Sequence, residues 1–440
     1  MEKHILDDTE KKATPRDLFF IWFSANIGIL GIVYGAIIVN YKLSFLQSIL
    51  VCALGPLSFI PVAYGSLSGR DSGAATFITS RASFGWKGNY IPALVGWLGQ
   101  MGWLSINITT GSLVILSIFN NFSIATTFYT KLIAWFLFAG FVLLSVTFSQ
   151  ETLVKVQSFF TYVFGSLTIF VLAFLIPNTS WHTVLQWKPT SFISNFLPAL
   201  MFVIIGTGLT WTKAASDYSR YQRRDSRSQS IIFYTTLGAW IPLFLIMSTG
   251  VLLASHMTGL ANSDNPIALI GQALPQWMTI LYLLAALGGL IPMCFLGLTS
   301  SRLTLDSFQL RISNVTSVIL HALLITLIPL YILLISNDFL GDFQTFLSYL
   351  SIGFSAWFAI YLTDYTCLRK NTGYPLSTLS TKISVQWGGV IGWVLGVGTS
   401  LITMHYISSI YYIPLTFIIS GLFYYISIQK KRVGKQNGKS

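Results

Sequence analysis

Four stretches of this sequence hold side chains that could do chemistry inside long apolar runs. In GWLGQMGWLSINITT, Gln100 and Trp103 stand three apart and so share one face of a helix. A buried amide both donates to and accepts from the edge of a heterocycle, and an indole face stacks on a planar ring for roughly 1–3 kcal/mol. In VIIGTGLTWTK, two glycines loosen an apolar helix around Thr207 and Thr210, and Trp211 offers a second aromatic wall. In FSANIGILGIVYGA, Asn26 precedes Gly28, Gly31 and Gly35, and in LGGLIPMCFLGLTSSRL the loosening residues Gly288, Gly289 and Pro292 precede Thr299, Ser300 and Ser301. Thr299 and Ser300 would meet the unpaired carbonyls of Asn26 and Ile29 around a hard cation that takes oxygen ligands. The competing reading is plain: hydroxyls near a helix end also bond their own backbone, and most of the 13 Trp belong to interfacial belts or packing, Trp97 among them.

The elements that hold these groups follow from composition. The 440 residues are 53% hydrophobic and only 9% charged, with a mean hydropathy of +0.68, which excludes a soluble chain with a charged surface. This is an all-α polytopic membrane protein. Apolar runs long enough to span a bilayer lie near 18–40, 44–66, 90–119, 131–148, 154–176, 193–213, 231–255, 276–300, 315–335, 344–367, 387–406 and 409–428. The polar first 17 residues lack the apolar core of a secretory signal, so the first run is expected to be retained.

A formal charge of +12 would suggest nucleic acid in a soluble protein, but here the basic residues lie between the apolar runs. With the N-terminus placed inside, only Lys42, Lys131 and Lys188 fall outside, and the other 23 of the 26 Lys and Arg fall inside, Lys213 included. That bias predicts twelve spans with both termini cytoplasmic, in the plasma membrane, and no nucleic-acid partner. No Asp, Glu, Lys or Arg falls in the middle of a predicted span, which points to a neutral substrate. Cys52, Cys294 and Cys367 read as buried small hydrophobes, and His4, His182, His256, His321 and His405 form no metal or catalytic cluster. No enzyme and no cofactor are expected.

The first and sixth runs are both interrupted near their middles and lie five spans apart, as in transporters built from inverted repeats. We therefore expect a tail over 1–17, repeat one over 18–176, repeat two over 193–367, two extra helices over 387–428 and a tail over 429–440. At the end of the sixth run, Asp217 and Arg220 are three apart; paired with each other or with Arg70, Asp71 or Arg81, they would form a cytoplasmic latch.

The motif SDYSRY at 216–221 resembles a signature of the nucleobase–cation symport family, in its cytosine and purine permease branch. RASFGWKGNYIPAL at 81–94, GQMGW at 99–103, LTSSRL at 298–303, FLSYLSIGFSAWFAIYLTDY at 346–365 and VQWGGVIGWVLG at 385–396 occur in the family's order. The resemblance implies a leucine-transporter-like five-plus-five fold with two further helices, and substrate held between helices 1, 3, 6 and 8. It assigns Gln100 and Trp103 to the heterocycle, with Thr207, Gly208 and Thr210 on the opposite wall; Trp211, Gly28 and Leu30 are further candidate contacts. It further assigns the carbonyls of Asn26, Ile29 and Leu296, with Thr299 and Ser300, to sodium. Arg302 and Leu303 stand where relatives often carry amides, so Ser301 is the expected substitute contact, and Gly208 stands where some members have an aromatic.

The expected activity is import of a planar heterocycle such as cytosine, a purine, hydroxymethylpyrimidine or a hydantoin-like ureide, coupled to sodium or to protons, by a monomer embedded in lipid. An amino-acid or amine carrier of the same architecture is the alternative, and competition between amino acids and nucleobases separates the two.

Overall fold

The structure is a computed structural model that describes residues 5–437 except 146–147, 256, 258, 261–262, 264–265, 273, 310–312, 337–338, 370–371, 381–382 and 408–410. His4 and His256, and the first two residues of the predicted run 409–428, lie outside the described residues.

Helices occupy all twelve predicted positions. They are α1a (Pro15–Asn26) and α1b (Leu30–Val39), α2 (Phe45–Ser72), α3 (Tyr90–Asn121), α4 (Phe128–Leu144), α5 (Gln150–Leu175) and α6 (Phe192–Ala214). There follow α7 (Ser228–Leu253), α8 (Gln276–Asp306), α9 (Asn314–Leu334), α10 (Phe339–Thr363), α11 (Trp387–Ile407) and α12 (Tyr412–Asn437). Among the described residues, ten are long and apolar enough to cross a membrane, and α1a with α1b makes an eleventh, bent by 63°. At 17 residues, α4 is shorter than that standard.

Local chemistry explains the ends of these helices. Thr14 and Asp17 form a capping box before α1a, with Pro15 at the first helical position, where its missing N–H is no loss. Ser44 and Gln47 do the same for α2, which stops at Gly73 with a left-handed φ of 70°.

The two interrupted helices sit together in the middle of the molecule. Between α1a and α1b the regular ladder gives way to tight turns, with Gly31 N–H donating to the Gly28 carbonyl at 3.0 Å. In α6 the α-helical ladder stops at Ile204, a π-helical turn runs over Ile205–Leu209, and a 3₁₀ turn over Thr212–Ala214 follows. Tyr34 of α1b donates to the Gly206 carbonyl at 3.2 Å, and Trp22 of α1a meets Trp211 edge to face at 5.4 Å. α1b crosses α7 at Gly35 and Gly250, where a Cβ on Gly35 would overlap the Met247 carbonyl oxygen. Such small-residue crossings let two membrane helices approach closely.

The residues before α1a are folded onto the body. Ala13 pairs with Gln222 in a parallel bridge, Leu6 N–H donates to the Gly73 carbonyl at 3.0 Å, and Lys11 Nζ donates to the Arg70 carbonyl at 3.2 Å. This segment thus straps the basic end of the molecule.

Candidate functional site

Where the two broken helices face α3 and α8, a cavity with ≈ 560 Å³ of empty volume opens. α1 contributes Asn26, Gly28, Leu30 and Tyr34; α3 contributes Gln100, Trp103 and Asn107; α6 contributes Thr210, Trp211 and Lys213; α8 contributes Met293 and Gly297.

Six of the nine expected substrate residues line this cavity: Gln100, Trp103, Thr210, Trp211, Gly28 and Leu30. The other three face elsewhere. Thr207 donates to the Val203 carbonyl at 2.6 Å and lies 3.2 Å from Ser58 Oγ, while Gly208 N–H donates to Ser58 at 3.1 Å. Gly208 is turned so squarely toward α2 that an added Cβ would strike the Ser58 backbone. Ser301 is buried and donates to its own helix at Leu298, 2.8 Å away.

The expected sodium ligands lie on α1 and α8, which meet at Gly28, Gly289 and Met293. Gly28 packs against Gly289 and Met293, and Ile29 shares a cleft with Tyr282, Ala285 and Ala286. The α8 groups also bond within the protein, leaving lone pairs on each oxygen. Thr299 donates to the Phe295 carbonyl at 2.9 Å, Ser300 donates to Asp217 at 2.6 Å, and the Leu296 carbonyl accepts from Tyr218 at 2.7 Å. Asn26 lines the cavity, with its amide nitrogen turned back to the Trp22 carbonyl at 2.8 Å. The space between α1a and α8 is bridged by Gln157 of α5, which accepts from Ser24 and donates to the Pro292 carbonyl.

Of the lining residues that were not expected, Asn107 and Lys213 bear most on the chemistry. Asn107 is one helical turn beyond Trp103, on the same face and 2% exposed, and its Oδ1 has no hydrogen-bond partner. Gln100 Oε1, 3% exposed, is likewise unsatisfied, so two acceptors converge on the cavity. The i, i+4 spacing of Trp103 and Asn107 was the signal available in the sequence. Lys213, assigned above to the basic surface, is 3% exposed and lines the cavity, which corrects the expectation that no ionisable group lies at that depth. Trp97 does pack, donating to His321 at 3.2 Å.

The expected latch takes different partners. Asp217 accepts from Thr76 N–H and Thr76 Oγ1, each at 2.8 Å, and from Ser300. Burial pushes its carboxyl above the ordinary range, against the pull of those donors. Arg70 pairs with Asp71 at 2.7 Å, and Arg81 donates to the Ser307 carbonyl, also at 2.7 Å. No ion pair joins Asp217 to Arg220 among the described residues; instead the Arg220 guanidinium lies 5.4 Å from the Tyr221 ring.

Comparison with known proteins places this geometry. Residues 6–426 match the family described as "Permease for cytosine/purines, uracil, thiamine, allantoin". The putative purine-cytosine permease YxlA of Bacillus subtilis is 25% identical, over 98% of this chain and 96% of its own. The closed, bromovinylhydantoin-bound structure of the nucleobase–cation symport transporter Mhp1 superposes with a TM-score of 0.80 at 17% identity, covering 97% of this chain and 94% of Mhp1. Inward-facing Mhp1 gives 0.71 at 18% identity, covering 98% of this chain and 95% of Mhp1. The fold is therefore that of Mhp1.

Proposed function

Since the chain belongs to the nucleobase–cation symport family of membrane permeases, we propose that it imports a nucleobase or related planar heterocycle across the cell membrane by cation symport and alternating access. The observation that carries this reading is the cavity between the two broken helices, walled by Trp103 and Trp211 and edged by the amides of Gln100 and Asn107. A flat ring stacked on an indole, with its N–H and C=O edge against two amides, suits those walls. Thr210, Gly28 and Leu30 complete the enclosure.

Transport follows if each ligand binds one state better than another. A cation entering down about 100 mV supplies roughly 2.3 kcal/mol, enough for near fifty-fold accumulation. We take sodium as the coupling ion to test first, with the proton as its competitor. Asn26, Ile29, Leu296, Thr299 and Ser300 are its proposed ligands. The termini are placed in the cytoplasm on the Lys and Arg bias, and the working unit is taken as a monomer.

The test is uptake into proteoliposomes of cytosine, hypoxanthine, uracil, allantoin and hydroxymethylpyrimidine under an inward sodium or proton gradient. Accumulation of one of them, abolished by collapsing one gradient, supports the reading. Gradient-driven uptake of amino acids with no heterocycle accumulated would replace it with the amino-acid carrier.

A further inference from the structure

The cavity holds one group that the reading above leaves unused. Lys213 Nζ donates to the Thr210 carbonyl at 2.7 Å and lies 5.4 Å from the Phe354 ring and 5.9 Å from the Trp211 ring. An ammonium has three donors, and this one gives none to a carboxylate. Among the described residues no Asp or Glu lines the cavity and Lys213 makes no ion pair. The nearest acid in sequence, Asp217, gives its oxygens to Thr76 and Ser300.

A lysine with no task at this depth would extend its four-carbon stem toward the head groups. Lys213 is instead held among the lining side chains at 3% exposure. Ammonium donors kept from water are costly, and a ligand that brings negative charge removes the cost. The neighbouring acceptors complete the pattern: Gln100 Oε1 and Asn107 Oδ1 are unsatisfied and suited to ring N–H groups.

We propose that Lys213 sets the charge class of the cargo, so that the cavity takes a planar heterocycle bearing an anionic oxygen, on the ring or on a carboxylate attached to it, paired with the Lys213 ammonium. This rests on the reading of the cavity as the substrate site and narrows it. The expectation of a neutral substrate gives way because it counted Lys213 with the basic surface.

The test uses the purified full chain and matched probes that differ in charge: orotate against uracil, urate against hypoxanthine, and nicotinate against nicotinamide, with affinities read by calorimetry at one pH and salt concentration. In at least one pair the anionic member binds about tenfold tighter or better. Lys213→Met and Lys213→Gln lower its affinity by about 10- to 100-fold, the range for a hydrogen bond to a charged group, while Lys213→Arg keeps the preference. The deciding quantity is the anion-to-neutral affinity ratio, which a merely structural lysine would not move. If Lys213→Met does not give a monodisperse protein, the ratio in the native chain and in Lys213→Arg decides. A neutral member that binds as tightly as its anionic partner, or an anion preference that survives in Lys213→Met, overturns the proposal and leaves the heterocycle reading standing. Silence from both members of every pair overturns that reading, and the proposal with it.

Discussion

Trp103 and Asn107, one turn apart on α3, bring an indole and an amide to the same cavity. Replacing Trp103 with Ala should weaken a bound heterocycle by about 10- to 100-fold, the range for loss of one stacking partner. Asn107→Ala should act on the same ligand through its polar edge, by about tenfold. Thr207→Ala and Ser301→Ala should leave affinity within roughly threefold, since their hydroxyls bond backbone away from the cavity. Titration of purified variants separates the two groups. Gln100, Trp103, Thr210 and Trp211 were legible in the sequence because amides and indoles beside a glycine-broken helix are informative by type. Lys213 was not, because a count of basic residues by side treats every lysine as a topological charge. Thr207, Gly208 and Ser301 were misplaced for another reason: a π-helical turn and a long helix fix which face each residue presents, and a list of residue types carries no such rotation.

At the scale of elements, the bent first helix and the loosened sixth are what make room for a ligand, and their glycine clusters announced both. The crossing of α1b over α7 was not announced, since each glycine there looks like any other in a membrane helix. Gly35→Ala should nonetheless lower thermal stability, because its methyl group has only the Met247 carbonyl and Gly250 to meet. Overpacking of this kind costs about 1–3 kcal/mol. Gly140→Ala on α4, where nothing lies within 4 Å of the new Cβ, is the matched control and should leave the melting temperature unchanged or slightly raised. Equal shifts for the two variants would show that helix propensity, and not the crossing, sets the response.

At the scale of the whole molecule, the basic end is closed by contacts that cross between elements distant in sequence. Asp217 ties Thr76, before α3, to Ser300 of α8; Tyr218 ties itself to Leu296; and the segment around Ala13 pairs with Gln222. Asp217→Asn keeps the volume but replaces a carboxylate acceptor with a neutral amide and reverses the bond to Ser300, weakening these contacts by about 1–3 kcal/mol. The variant should open this end more often. A Thr304→Cys reporter, one turn beyond Ser300, should then react faster with a membrane-impermeant maleimide, and substrate should slow it again. Unchanged labelling would mean that the closure does not depend on Asp217. The twelve helix positions and the basic bias were readable at this scale because each follows from local composition. The partners of Asp217 were not, since Thr76 and Ser300 lie far from it along the chain and carry no charge to betray the pairing.

The central claim is that the cavity between α1, α3, α6 and α8 is the substrate site. Its most direct test is a binding screen of the purified chain against nucleobases, ureides and amino acids, repeated on Trp103→Ala and on Thr207→Ala. A heterocycle that binds the native chain and Thr207→Ala alike, and is lost in Trp103→Ala, is the predicted result. A ligand whose affinity is the same in the native chain and in Trp103→Ala would contradict the claim and place the site elsewhere in the molecule.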